Sequence, residues 1–485
     1  MSSVSFEPSM ILAILPEILI LVLAILVLTL DLVLPEERRG SLGWITAGGL
    51  FAIIGVSLAV GQPAADAKLV WGGMLRHDWL GFVFKMTFLF AAAITAMFST
   101  DLARMGKRGE YYLLMLSSTL GMTLMASAAD LIMLYLAIET TSIPLYILAG
   151  FLTRDDKSTE SGFKYLLFGA MTSSVMVYGF SLLYGFAGTT NLYALAEGVM
   201  AGDLPIVSLF GSLLLVLVGF GFKISAVPLH FWAPDTYEGA PTPITGFLST
   251  ASKAAGFAVL MRVLIAAFPP EITPLWAAVI AALSTATMTL GNTLALAQRN
   301  IKRMLAYSSV AHAGYALIGL VAVSGLGIAS VVFYLVVYVV TNLAAFGVVA
   351  AFGKVTGSDE IAAYAGLSRR SPWLALTFMV ALLSLSGMPP FGGFVVKFAV
   401  FAAAVQAGQV WLAVVGVLNS IVGLYYYLTV LKVVYLYRSD EEDKPFPISR
   451  SYAVALTVLV FGIILLGTVF APWFSVSNSA AAALF

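Results

Sequence analysis

The sequence predicts an all-α polytopic membrane protein of about 14 transmembrane helices. Three observations carry this. Of 485 residues, 60% are hydrophobic and 10% charged, and the mean hydropathy is +0.98, a composition foreign to soluble domains. The chain divides into apolar runs of roughly 18–25 residues, each long enough to cross a bilayer core. The basic residues then sort to one side. Of 25 Lys and Arg residues, six lie within apolar runs, and Lys68 and Arg76 lie in one set of loops. The other 17 lie in the opposite set, from Arg38 and Arg39 through Arg104 and Arg154 to Arg450. This bias orients the chain with its basic loops in the cytoplasm. Both termini then lie outside, which requires an even number of spans.

The runs start near residues 10, 41, 79, 111, 130, 162, 206, 241, 273, 304, 326, 372, 409 and 451. The first is too long for the apolar core of a cleaved signal, and MSSVSFEPSM lacks a basic leader, so it reads as a retained helix. With no cysteine, a disulfide, a thiolate metal site and an iron–sulfur cluster are all excluded on this chain. Its 25 basic and 25 acidic residues balance, which gives a nucleic-acid partner no support.

The cations inside the apolar runs are Lys85, Lys164, Lys223, Lys253, Arg262 and Lys397. Lys85 and Arg262 lie within about two helical turns of the outer face, so snorkelling to the headgroups is the simpler reading. Lys164 stands near the cytoplasmic start of its helix and fits an anchor or a functional group equally. Lys223, Lys253 and Lys397 are deeper. A lysine at the bilayer centre costs about 2.5–3.5 kcal/mol on insertion scales, so three in one chain imply a role.

Among the acids, Asp31 and Asp130 fall at helix ends, where headgroups can solvate them. Glu17 follows Pro16 and fits a structural or a functional role. Glu139 lies nine residues after Asp130, or ~13 Å along a helix. That is near the midplane, where its natural partner is a buried lysine. Pro144 follows and predicts a local distortion. Of three histidines, His77 falls in an outer loop, whereas His230 and His312 fall among the spans. These two are candidate relay groups, and nothing near either has metal-ligand spacing.

Two spans are interrupted by proline. Pro228 follows Lys223 by five residues, and Pro389 and Pro390, flanked by Gly387, Gly392 and Gly393, precede Lys397. Such breaks must have their freed carbonyls met by protein or water. The first span runs inward and the second outward, and paired interrupted helices of opposite direction point to inverted repeats with an ion path between them. The residues therefore point to a proton path.

The segment VPLHFWAPDTYEGAPTPITGFLSTASKAAGFAVLMR closely resembles the antiporter-like subunits of respiratory proton-pumping NADH–quinone oxidoreductase, complex I. AIETTSIPLYIL, ESGFKYLLFGA, QRNIKRMLAYSSVAHAGY and SLSGMPPFGGFVVKF resemble the same family, over about residues 137–400. The chain stops soon after its last span, unlike the distal member with its lateral helix. WAPDTYEGAP, without a histidine, points away from the middle member. The resemblance implies two inverted five-helix repeats, spans 4–8 and 9–13, each with a broken helix. The expected divisions are 1–110 for three N-terminal helices, 111–268 and 269–438 for the repeats, and 439–485 for a cytoplasmic loop and helix 14. It implies a glutamate–lysine pair at Glu139 and Lys223, a lysine at Lys164 on the intervening helix, a central lysine at Lys253 and a terminal one at Lys397. His312 falls on the family's polar axis. No cofactor is expected on this chain. Expected partners are the other membrane subunits of complex I, including neighbouring antiporter-like subunits, in the bilayer of a bacterial inner membrane. A cation/proton antiporter subunit and a structural membrane scaffold are the competing readings.

Overall fold

The computed structural model describes residues 8–64, 66–102, 105–201, 205–439, 444 and 446–485. The leading residues 1–7 and Arg104, both used above, lie outside the described residues. The bundle is built from helices whose ends are set by local chemistry. They are α1 (Leu15–Val33), α2 (Leu42–Val60), α3 (Trp79–Ser99), α4 (Gly109–Ser127), α5 (Leu131–Ala149) and α6 (Asp156–Ala187). The broken α7 follows as α7a (Ile206–Ile224) and α7b (Trp232–Gly239), then α8 (Thr242–Ala266). Next come α9 (Thr273–Leu296), α10 (Ile301–Val321) and α11 (Gly325–Thr356). The second broken helix is α12a (Pro372–Ser386) with α12b (Gly392–Gln406), followed by α13 (Val410–Leu436) and α14 (Arg450–Thr468). Among the described residues twelve helices are long and apolar enough to cross a membrane, against the expected fourteen or so; α4 and the two shorter apolar halves of α12 fall outside that set. A short antiparallel hairpin, Lys68–Val70 with Leu75–His77, lies between α2 and α3.

Most starts fall at the sequence expectation, and the largest shift has a clear cause. α6 begins at Asp156 rather than near residue 162, because Asp155 accepts from the amides of Lys157 and Ser158. The helix thereby projects a charged turn beyond the apolar run. α5 runs continuously through Pro144.

The repeats share a packing scheme. α4 lies against α5 as α9 lies against α10, α6 against α7a as α11 against α12b, and α4 against α8 as α9 against α13. A five-span offset reverses the direction of every helix, so the second set is inverted relative to the first. α8, α10 and α11 form the centre, each with 94% of its apolar crossing segment buried, against 33% for α1, α2 and α13. The centre is where the buried polar groups lie.

A polar string across the bundle as the candidate functional site

The first break is organised around Lys223, in the last turn of α7a. Ser225 adopts φ 58°, a left-handed geometry that ends the helix, and its amide bonds back to Phe222. Pro228 lacks an amide, and the loose ends are met by protein as a membrane interior demands. Ala226 N donates to Gly221 O at 2.8 Å, Trp232 Nε1 to Phe222 O at 3.1 Å, and Val227 N to Thr287 Oγ1 at 3.0 Å. The Lys223 ammonium donates to Ser142 Oγ on α5. Glu139, one turn before Ser142, accepts from Ser173 Oγ on α6. Glu139 and Lys223 form no ion pair; they line a common small cavity with Tyr146, Thr172 and Met176. Its room for water is about 10 Å³, roughly one molecule.

Lys253 follows directly on a π-turn, Leu248–Ser252, in α8, a distortion that frequents functional sites. Its Nζ donates to Ser309 Oγ at 2.6 Å and Ser309 O at 2.8 Å, so a lysine of the first repeat is held by α10 of the second. Gly256 lets α7a approach: a Cβ there would stand 3.1 Å from Lys223 Cβ. Lys223 and Lys253 thus occupy touching helices.

Beyond Ser309 the polar groups continue. Neighbouring Ser308 shares a hydrogen with Tyr427 OH, which lies 3.3 Å from His312 Nε2, and Tyr334 OH lies 2.7 Å from His312 Nδ1. Another space for one water is lined by His312, Tyr334, Thr341 and Ser384, beside the α12 break. At that break Gly387 takes φ 89°, and Lys397 Nζ donates to Ser386 O at 3.0 Å. The same ammonium stands 4.6 Å from the Tyr315 ring centre, and Tyr315 OH accepts from Asn292 Nδ2 at 2.8 Å. Lys253 and His312 are therefore spaced by the hydroxyls of Ser309, Ser308 and Tyr427, with Lys397 at the second break beyond and Lys223 on the helix that touches Lys253's.

Two predicted residues stand apart from the string. His230 is buried against Phe231, and its Nδ1 has no hydrogen-bond partner. Lys164 is 34% exposed and pairs with Asp235 Oδ2 and Glu160 Oε1, each at 2.6 Å. It belongs to an ion network at the basic end. Arg303 Nη1 bridges Asp235 at 2.8 Å and Glu238 at 2.9 Å, and Lys157 meets Glu238 at 2.8 Å. Burial opposes the charged form of Asp235, but Lys164 and Arg303 outweigh it and hold the carboxyl below its ordinary value. Glu238 is likewise held down by Lys157 and Arg303 against its burial.

Snorkelling is overturned for both Lys85 and Arg262. Lys85 turns inward to Glu17 at 2.9 Å and Ala13 O at 2.9 Å. Arg262 is 1% exposed. It donates to both Asp78 oxygens at 2.7 and 3.0 Å, to Tyr193 OH at 2.6 Å and to Ala126 O at 2.8 Å. A guanidinium with these acceptors is better satisfied inside than at the headgroups. Glu17 thereby has a partner. Asp130 is not solvated either: it caps α5 and accepts from Thr190.

The sequence reading missed Ser142, Ser173, Ser309, Tyr334 and Tyr427. One signal was available. Ser308, Ser309, His312 and Tyr315 recur at i, i+1, i+4 and i+7, a polar stripe on an otherwise apolar helix.

Paired broken helices of opposite direction, with buried lysines between them, define a membrane protein of the antiporter type. Residues 128–423 match the family "NADH:quinone oxidoreductase/Mrp antiporter, TM". The chain belongs to this family, within the group of NADH-quinone oxidoreductase N subunits. It is 44% identical over 453 residues to NADH-quinone oxidoreductase subunit N of Moorella thermoacetica, covering 93% of this chain and 94% of that relative. A chain of respiratory complex I from Thermus thermophilus, solved with bound aureothin, superposes with a TM-score of 0.79 at 33% identity. That match covers 95% of this chain and 98% of the other. A chain of the Mrp complex from a Dietzia species superposes with a TM-score of 0.86 over 99% and 98% of the two chains. Its identity is 20%, a likeness of fold.

Proposed function

We propose that this chain is a proton-translocating membrane subunit of NADH–quinone oxidoreductase, working with quinone reduction carried out in partner subunits. The observation that supports this most is the succession Lys223, Lys253, His312 and Lys397 through the centre, with Lys253 bonded across the repeat boundary.

Each ammonium here is held by neutral oxygens, so its proton is not locked by a carboxylate. Low dielectric disfavours a charged form and an opposite charge restores it. Lys223 therefore keeps its proton when Glu139 swings close and yields it when Glu139 turns to Ser173. One water in the shared cavity suffices to connect them. A proton leaving Lys253 meets Ser309, then the Ser308–Tyr427–His312 group, then the water space at the second break beside Lys397. Moving one charge against 100 mV requires about 2.3 kcal/mol. Closing and opening a buried ion pair involves several kcal/mol, which is enough.

The energy is taken to come from outside, because a chain without cysteine offers no thiolate ligand for a redox cluster. We accordingly take the chain as a non-redox subunit of the enzyme with no cofactor of its own, beside other membrane subunits, antiporter-like neighbours among them. The positive-inside bias supports both termini on the periplasmic side, and the bacterial relatives support a bacterial inner membrane. Residues 111–268 and 269–438 are taken as the repeats. Lys164 and His230 are assigned to the entry side, where α7b and its ion network meet the basic end.

The test is quinone-driven acidification of vesicles carrying the intact complex. Lys223→Ala should leave the complex assembled and abolish most pumping. Normal pumping would leave a scaffold as the surviving reading. Exchange of Na⁺ or K⁺ for protons by the chain purified alone would favour an independent antiporter.

A further inference from the structure

Three loops at the basic end converge: between α1 and α2, between α3 and α4, and between α5 and α6. They enclose an open cavity with about 560 Å³ of room for solvent, into which Arg39, Lys107, Arg108 and Arg154 face, with Glu36 the acid among them. Elsewhere on this end cations meet acids, as Lys157, Lys164, Lys302, Arg303 and Lys354 do. At the cavity, Arg39 donates to Leu34 O at 3.2 Å and has a distant Asp31 at 3.7 Å as its acid, and Arg108 an exposed Glu110 at 3.3 Å. Lys107 and Arg154 form no ion pair among the described residues. Phe151 forms an apolar wall, its ring 5.9 Å from the Arg108 guanidinium.

The cavity also adjoins an exposed apolar helix face. Glu36 and Arg39 follow directly on the last turn of α1, where Leu32 is 77% and Val33 75% exposed. Trp44, in the first turn of α2, is 45% exposed, an amphipathic ring of the kind enriched at membrane interfaces. A concave basic site that opens onto an apolar helix face combines the two halves of a phospholipid. A soluble anion would use only the first.

We infer that this cavity binds the phosphodiester headgroup of an anionic membrane phospholipid, whose acyl chains lie along the exposed end of α1 and start of α2. Arg39 and Arg108 supply forked donors and Lys107 and Arg154 the uncompensated charge. None of these residues belongs to the proton string, so the site stands independently of the proposed function.

The probe is phosphatidylglycerol, titrated into the intact delipidated complex in phosphatidylcholine nanodiscs and counted by native mass spectrometry. At about fivefold per cation near the surface, Lys107→Ala with Arg154→Ala should weaken retention about thirtyfold and remove one tightly held lipid. Lys107→Arg with Arg154→Lys should keep it. Unchanged lipid retention in the alanine variant overturns the inference. So does displacement of the lipid by millimolar inorganic phosphate, which would make this a simple anion site. Crosslinking of a probe at Arg154→Cys to a neighbouring subunit instead of lipid also overturns it.

Discussion

Lys253 of α8 and Ser309 of α10 are joined twice, through the serine hydroxyl at 2.6 Å and its carbonyl at 2.8 Å. The two residues belong to different repeats, so the junction between repeats is itself part of the polar string. Ser309→Ala removes one of two acceptors. A hydrogen bond to a charged group contributes about 1.5–3 kcal/mol, and the retained carbonyl offsets part of the loss. Pumping rate should fall about fivefold to tenfold, and Ser309→Thr should restore most of it, read as acidification per complex.

The second break depends on a missing side chain. A Cβ at Gly393 would stand 1.7 Å from Ser384 O, a backbone atom that cannot step aside. Gly393→Ala should therefore exceed the roughly 1–3 kcal/mol usual for overpacking, with loss of assembled complex. Gly185, which has open space around it, should accept alanine with an unchanged thermal midpoint.

Arg262 and Asp78 are a buried pair that neither can leave alone. Arg262→Met leaves the buried Asp78 carboxylate with Arg76, at 3.4 Å, as its remaining cation, and should cost less than the about 3–5 kcal/mol of a fully stranded charge, seen as a lowered thermal midpoint. Adding Asp78→Asn should recover part of that loss. A full effect of each change that simply adds would contradict the pairing.

The ion network on α7b should give an acid-side signature. Asp235 is held below its ordinary 3.8, so its contribution is present above that value and is lost as pH falls through the depressed one. The difference in thermal midpoint between the native protein and Asp235→Asn should be constant near neutrality and vanish on acidification below pH 3.8. A difference that persists there would contradict the assignment.

The apolar runs, both breaks and the burial of Lys223, Lys253 and Lys397 were legible because each depends on neighbours in sequence. Apolar run length sets a crossing, proline removes a donor, and a charge in an apolar run declares itself. Partners far along the chain were not legible. Glu17 meets Lys85 and Asp78 meets Arg262 across 68 and 184 positions, and no local pattern distinguishes such a cation from one reaching for headgroups. Lys164 was ambiguous for the same reason, since Asp235 lies 71 positions on. Tyr334 and Tyr427 went unseen because tyrosine in an apolar run reads as packing. Their hydroxyls matter only through the fold that aims them at His312.

The central claim is that protons cross by way of Lys253. The most direct measurement is the ratio of protons pumped to quinone reduced in vesicles carrying the assembled complex with Lys253→Met, a side chain of similar length without a proton to give. The polar-string account predicts a lower ratio with the complex intact. An unchanged ratio at normal assembly would contradict it.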